Sequence, residues 1–240
     1  MTKRYYPPFN FKQFIVEHDK SSMKLGVDGV LLACWSDQEG VNSILDIGSG
    51  CGIISLVCAQ RNPVGSIQAL DIEDGAFEES EINFKNSPWS ERLKVDHTSF
   101  QEFLKDHEVE YDLIISNPPY FIDSLNAQNK ERSLARHNVD FDFDLFFEYS
   151  EKSMTNNGKL CLVFPYDKLS FLEEKAKKQG LFLSRIAYVK PFEHKPPKRV
   201  LLEFRKEKQD PEEETFAIEI TRGDYTEKYV SLVKDFYLHF

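Results

Sequence analysis

Ile44-Leu45-Asp46-Ile47-Gly48-Ser49-Gly50-Cys51-Gly52 is the stretch on which the fold of this chain turns. A short apolar run ends on a turn with glycine at alternate positions, and the run Ile53-Ile54-Ser55-Leu56-Val57 follows. That order predicts a buried strand, a tight turn and a helix. Without Cβ atoms the turn can be tight and its backbone can touch a ligand. Such turns serve nucleotide cofactors at the carboxyl ends of parallel strands. The nicotinamide fingerprint G-x-G-x-x-G is not met, because its third position in this register is Ile53 and the third glycine is Gly52. For the loop alone, a simple strand-helix connection stays open as an alternative.

Working outward, short apolar runs predict strands near 43–47, 66–71, 92–96, 111–116, 159–164, 182–189 and 199–206. Amphipathic stretches predict helices near 27–36, 52–61, 74–86, 142–155, 168–179 and 226–237. Asn156-Asn157-Gly158 and Gln179-Gly180 read as helix ends tolerant of positive φ. The runs 182–189 and 199–206 have no long helical pattern between them. They are expected to pair antiparallel through the loop Pro191 to Lys198. The expected class is α/β, Rossmann-like, with a mostly parallel seven-stranded sheet and a reversed edge strand. Residues 1–240 form one domain in this reading, with 1–40 an N-terminal extension folding over the cofactor and substrate site. The acidic run 207–214 reads as a surface loop before a final strand near 215–221.

The formal net charge of -10 argues mildly against a nucleic-acid partner, but its distribution is uneven. Residues 190–199 carry Lys190, Lys195, Lys198 and Arg199 against Glu193 alone, and Lys130, Arg132, Arg136 and His137 form another group. A solvated face is the plainer reading of either cluster taken singly. Cys34, Cys51, Cys58 and Cys161 are scattered, with no C-x-x-C pair, which fits reduced, buried thiols and argues against a zinc site or a disulfide framework. No apolar run reaches membrane-spanning length, and the start Met-Thr-Lys-Arg-Tyr-Tyr-Pro-Pro has no apolar signal region. The expectation is a cytoplasmic monomer with no metal and no membrane partner.

Asn117-Pro118-Pro119-Tyr120 follows the apolar run Leu113-Ile114-Ile115. An amine conjugated to a ring is a poor nucleophile, and two acceptors aimed at its N–H bonds favour the pyramidal amine of the transition state. The Asn117 side-chain oxygen and the Pro118 carbonyl can be those acceptors, and Tyr120 offers a flat stacking face. The bland alternative is a strand followed by an Asn-Pro turn. Asp71 closes the strand after the glycine turn, where a carboxylate can accept two ribose hydroxyls; as a helix cap it competes with Asp74. Asp46 either meets the cofactor or braces the loop. Asp28, in Gly26-Val27-Asp28-Gly29, reads as a helix cap or a cofactor contact.

G-x-G-x-G after an acidic strand end looks like the loop for S-adenosylmethionine. With Asn117 to Tyr120 placed as well, the chain resembles the amino-methyltransferases of exocyclic amines, and within them the bacterial tRNA(Val) adenine-N6 methyltransferase family. The resemblance runs from Phe11-Lys12-Gln13-Phe14 through Met23 to Leu32, Ser87 to Arg92 and Arg199 to Phe204 to the tail Tyr225 to Phe240. It implies a class I methyltransferase fold and S-adenosylmethionine as cofactor. The implied substrate is tRNA, methylated at N6 of an anticodon-loop adenosine. It assigns the cofactor loop to Gly48, Gly50 and Gly52, the ribose acid to Asp71 and the target-amine site to Asn117, Pro118, Pro119 and Tyr120. Where the family usually has an acidic residue after the strand near 92–96, this chain has Ser99, followed by Phe100. That cofactor contact is either weaker or made by a backbone group. Lys195, Lys198, Arg199, Arg132 and Arg136 are the candidates for phosphate. Two alternatives stay open: methylation of another planar amine, in ribosomal RNA, DNA or protein glutamine, and a catalytically silent RNA-binding module.

Overall fold

Alternation along the central strands sets the architecture. In a strand successive side chains point to opposite faces, and here both faces are apolar. Ile44, Leu113, Ile115, Cys161 and Val163 enter one buried cluster, while Leu45, Ile47, Ile114, Leu160 and Leu162 enter a second. Strands apolar on both sides demand cover on both sides, which is the doubly wound α/β solution.

The computed structural model describes residues 5–105, 109–120 and 141–240. The elements in chain order begin with a hairpin of β1 (Phe9–Asn10) and β2 (Ile15–Val16), then α1 (Val27–Trp35). The βα units follow: β3 (Ser43–Ile47), α2 (Ile53–Arg61), β4 (Ser66–Asp71), α3 (Asp74–Lys85), β5 (Leu93–His97), α4 (Phe100–Lys105) and β6 (Tyr111–Ser116). Then come α5 (Phe143–Lys152), β7 (Met154–Pro165), α6 (Leu169–Lys178), β8 (Phe182–Phe192), β9 (Arg199–Arg205), β10 (Glu212–Thr221), β11 (Asp224–Tyr225) and α7 (Glu227–Val233). Helices α1, α2, α3 and α7 contribute to the first cluster; α4, α5 and α6 contribute to the second. The second is rich in phenylalanine. Phe143 meets Phe146, Phe164 and Phe171 edge to face, the geometry aromatic quadrupoles favour.

The α/β Rossmann-like class stands, with two corrections of detail. Among the described residues the main sheet has nine strands, in the order β11-β10-β8-β9-β7-β6-β3-β4-β5. Two strands are reversed: the two-residue β11, antiparallel to β10 at the edge as expected, and β9, inside the sheet. β9 runs antiparallel to both β7 and β8, and β10 pairs parallel with β8 beyond it. Val200 to Phe204 are buried at every position, as befits an inner strand. Alternation reports which faces are covered and says nothing about lateral neighbours.

Two local readings also change. Asn156 to Gly158 continue β7 instead of ending a helix. A Cβ on Gly158 would come within 3.0 Å of the Thr155 and Tyr111 carbonyl oxygens, so close packing calls for glycine there. The acidic run is partly strand: Glu214 lies in β10, accepts from Trp35 Nε1 at 2.7 Å and pairs with Lys228. All four cysteines are buried and free, and burial pushes their thiols up. Among the described residues no helix is long and apolar enough to cross a membrane.

Candidate active site

The chain runs outward from β3 through β4 to β5, then returns to place β6 on the other side of β3. Between β3 and β6 the winding direction reverses, and such a switch point opens a crevice at the carboxyl ends of the strands. Ile47 pairs with Ser116 across these strands. Neighbouring strands lie about 4.8 Å apart, so the register alone brings Gly48 and Asn117 side by side. Ser116 Oγ donates to Ile47 O at 2.7 Å and ties the two strand ends together.

On the β3 side, Gly48, Gly50 and Gly52 all have positive φ, at 73°, 57° and 79°. The loop is anchored by Gly48 and Ser49 N–H groups donating to Leu70 O at 2.9 and 3.0 Å. A Cβ on Gly48 would meet nothing within 4 Å, whereas one on Gly52 would lie 2.5 Å from the Phe84 ring. Gly48 therefore faces open space, while Gly52 is where α3 packs onto the turn. Ser80 Oγ donates to Gly50 O at 2.8 Å from the same helix.

Asp71 ends β4 beside this loop. Its carboxylate accepts from Gly50 N at 2.8 Å and Glu73 N at 2.9 Å. Burial pushes its pKa above the usual carboxylate value, and those two backbone N–H groups oppose the shift. Ile72, next in the chain, is exposed and apolar. Asp46 is fully buried. One oxygen accepts from Ser55 N at 3.1 Å and Ser55 Oγ at 2.7 Å, bracing the turn, while Oδ1 has no hydrogen-bond partner. Burial raises its pKa to about 7 against those bonds, with the Asp71 charge adding to the rise.

The segment before α1 is strapped to α3. Glu79, itself buried, accepts from the Lys20 and Ser21 N–H groups, and Glu73 accepts from Ser22 N and Oγ. Asn83 joins this strap to the glycine turn, with Nδ2 donating to Glu17 O at 2.9 Å and Cys51 O at 2.8 Å.

On the β6 side, Pro118 is buried, Pro119 exposed, and Asn117 and Tyr120 are half-buried. The Tyr120 hydroxyl lies 2.7 Å from Asn117 Oδ1 and 3.1 Å from Asp28 Oδ2. Arg199 Nε donates to the same Asp28 oxygen at 2.8 Å. The Arg199 guanidinium carbon sits 5.0 Å from the Tyr120 ring centre, and Phe164 meets that ring edge-on at 5.3 Å. Burial and the Asp28 charge push the phenol pKa above its usual value, against Arg199, so Tyr120 keeps its proton. Asn117 Nδ2 is 3.7 Å from Met23 Sδ, which brings the N-terminal segment against the Asn117 amide.

The remaining expected site residues fall in different places. Ser99 caps α4, accepting from Glu102 N at 3.1 Å, and Phe100 is buried among Phe141, Phe146 and Tyr149. Lys195 and Lys198 are exposed on the β8–β9 connection. Because β8 runs in the same sense as β7, that connection lies at the edge of the sheet that carries Asn117. Arg199, expected to meet phosphate, is instead engaged by Asp28 and Tyr120. Arg132 and Arg136 lie outside the described residues. The sequence reading missed the role of Asp28. Gly26 is the N-cap residue of α1, and the Asp28 carboxylate, in its first turn, bonds Tyr120 and Arg199 from distant parts of the chain. No local pattern signals a contact between residues 28 and 199.

These residues fit S-adenosylmethionine. A glycine turn open at Gly48, a carboxylate ending the next strand, an exposed apolar Ile72 beside it and a buried carboxylate oxygen without a partner suit a nucleoside bearing a cationic amino-acid arm.

The model of the methyltransferase small domain matches residues 26–170. A tRNA1(Val) (adenine(37)-N6)-methyltransferase of Parabacteroides distasonis is 40% identical over 97% of this chain and 98% of its own length. One of Trichodesmium erythraeum is 37% identical over 97% and 98%. Among solved structures, a predicted O-methyltransferase of Agrobacterium tumefaciens superposes with a TM-score of 0.66 at 17% identity, covering 87% of this chain and 96% of that one. The ribosomal protein L11 methylase of Lactobacillus delbrueckii gives 0.53 at 16%, covering 75% and 77%. The structures share the fold; near-full-length identity with the sequence relatives carries more. With a glycine turn and an Asn-Pro-Pro-Tyr loop on adjacent strand ends, this chain belongs to the tRNA1(Val) (adenine(37)-N6)-methyltransferase family.

Proposed function

We propose that this chain transfers a methyl group from S-adenosylmethionine to N6 of adenosine 37 in the anticodon loop of tRNA1(Val). The observation that carries the reading is the pairing of Ile47 with Ser116, which sets the glycine turn beside Asn117. When bound, the cofactor supplies an electrophilic methyl on a sulfonium centre. The Asn117 side-chain oxygen and the Pro118 carbonyl accept from the target amine and favour its pyramidal form. Arg199 covers one face of Tyr120, so the target adenine stacks on the other. An unpaired loop base can be splayed into such a site more cheaply than a duplex base. Attack makes the amine proton acidic, and it leaves to water without a dedicated base.

Gly48, Gly50, Gly52, Asp46 and Asp71 hold the cofactor in this reading. Ser99 serves through its position at the end of β5 while its hydroxyl caps α4, and Phe100 supports that turn from the core. Lys195 and Lys198 meet phosphates flanking the target, their exposure at the site edge being the support. The N-terminal segment lies over the site, a reading supported by Met23 beside Asn117 and by the strap to α3. A cytoplasmic monomer belongs to this reading, work on tRNA being cytoplasmic.

The test is nucleoside mass spectrometry of tRNA from cells with and without this protein, together with purified enzyme on tRNA1(Val) transcripts carrying adenosine or guanosine at position 37. Loss of one N6-methyladenosine in cells, and methylation of the adenosine transcript only, are expected. Unchanged N6-methyladenosine in both settings defeats the reading.

A further inference from the structure

Tyr120 has one hydroxyl proton and meets two acceptors, Asn117 Oδ1 at 2.7 Å and Asp28 Oδ2 at 3.1 Å. One proton cannot serve both. A carboxylate is the stronger acceptor, and Arg199 Nε holds that carboxylate in place at 2.8 Å. The two ends of an asparagine amide exchange by a half-turn, and the surrounding donors and acceptors decide which end faces which neighbour.

With Nδ2 toward Tyr120 every group is used. The amide donates to the phenol oxygen, the phenol donates to Asp28, and Asp28 accepts from Arg199. Asn117 Oδ1 then faces the side on which Met23 Sδ lies, 3.7 Å from the outer end of the amide, and a thioether requires no donor. With Oδ1 toward Tyr120, by contrast, two acceptors crowd one proton and the amide presents N–H groups to the amine it is meant to receive.

The geometry, taken with the amine-methylation reading on which this rests, points to Asp28 and Arg199 as positioning residues that fix the Tyr120 hydroxyl proton and so turn Asn117 Oδ1 toward the target amine. The tie joins three separate parts of the fold: the first turn of α1, the loop after β6 and the start of β9. Asp28 Oδ2 accepts from Tyr120 and Arg199, both far from its own helix in the chain. Neither positioning residue touches the substrate; each acts through Tyr120 and Asn117.

The experiment is a double-mutant cycle on the full chain, comparing wild type, Asp28→Asn, Tyr120→Phe and the double variant. Single-turnover methylation of the tRNA substrate is measured at saturating enzyme and S-adenosylmethionine, with KM for RNA and S-adenosylhomocysteine affinity alongside. Tyr120→Phe keeps the stacking ring and removes the hydroxyl. Asp28→Asn is expected to slow transfer about tenfold in the wild-type background, the cost of one missing orienting hydrogen bond. RNA KM and cofactor-product affinity stay within about twofold, and in the Tyr120→Phe background the same change costs less than about twofold. Arg199→Lys, which keeps the charge and loses the planar Nε–H, falls between. If Asp28→Asn does not fold, Asp28→Glu takes its place in the cycle. An equal loss in both backgrounds, no loss in either, or a loss appearing in RNA KM or cofactor affinity overturns the inference. Failure of the wild type to methylate tRNA is a failure of the functional reading alone, and the cycle is then run on whichever amine the wild type accepts.

Discussion

Gly52→Ala and Gly48→Ala make a matched pair that separates packing from ligand approach in the glycine turn. Both glycines are left-handed, at φ 79° and 73°, so either alanine incurs the same backbone penalty of about 1–2 kcal/mol. Their surroundings differ. A Cβ at position 48 meets nothing within 4 Å, whereas at position 52 it lies 2.5 Å and 3.0 Å from Phe84 ring atoms and 3.1 Å from Ser80 Oγ. Phe84 is 3% exposed and Ser80 is fully buried, so neither can swing aside into solvent. Overpacking of a tight core costs about 1–3 kcal/mol, which puts Gly52→Ala at a total of about 2–5 kcal/mol. In a chain of this size each kcal/mol moves Tm by about 2–4 °C, so Gly52→Ala should melt about 2–12 °C below Gly48→Ala. The stiffening of the unfolded chain by alanine is common to both and cancels. The assay is thermal unfolding without ligand, paired with calorimetric titration of S-adenosylhomocysteine. Gly48→Ala should lose affinity out of proportion to its stability, because its new methyl occupies the open approach to the turn. Phe84→Leu should restore part of the Gly52→Ala loss when each is compared in its own background. Equal melting temperatures for the two alanine variants would refute the argument that Phe84 packing, and not backbone conformation alone, selects Gly52.

Asn117→Ala should lower turnover by about 10²-fold or more while leaving S-adenosylhomocysteine affinity nearly unchanged, as for loss of a group that acts on developing charge; a collapse of cofactor binding in the same titration would place Asn117 on the cofactor instead. Lys195→Glu with Lys198→Glu should weaken tRNA binding and reduce the slope of log K against log salt by about 0.7 for each phosphate no longer neutralised; an unchanged isotherm at low salt removes this connection from the RNA footprint. Asp46 has a pKa of about 7 in the fold against 3.8 ordinarily, so the folded chain binds the extra proton. Its contribution to stability is therefore present below pH 3.8 and lost as pH rises toward about 7. Asp46→Asn should flatten that decline in urea unfolding measured from pH 4 to pH 8, and an unaltered slope would show that Asp46 is ionised throughout.

Local pattern carried much of this protein. Strands 43–47, 66–71 and 111–116 lie where apolar runs bounded by turn residues predict them, with the same limits. The glycine turn and Asn117 to Tyr120 were legible because each is a contiguous peptide whose backbone chemistry is unusual by itself. Lateral order was not legible. β9 lies inside the sheet and Glu212 to Glu214 join β10, because a strand's alternation encodes its two faces and not its neighbours. The short helix α4 was missed as well; its Ser99 cap and Glu102 partner are a capping signature, but six residues make too brief a pattern to stand out.

The sequence by itself determined the fold class, the glycine turn and the Asn-Pro-Pro-Tyr loop, since hydrophobic period, glycine spacing and proline rigidity act over a few bonds. Tertiary structure alone decided that Asp28 reaches Tyr120 across 92 positions and Arg199 across 171, and that Glu79 and Asn83 strap the N-terminal segment to α3. The physical reason is that a carboxylate's partner is chosen by which charges and hydroxyls the packed sheet and helices bring within about 3 Å, and chain distance carries no record of that choice.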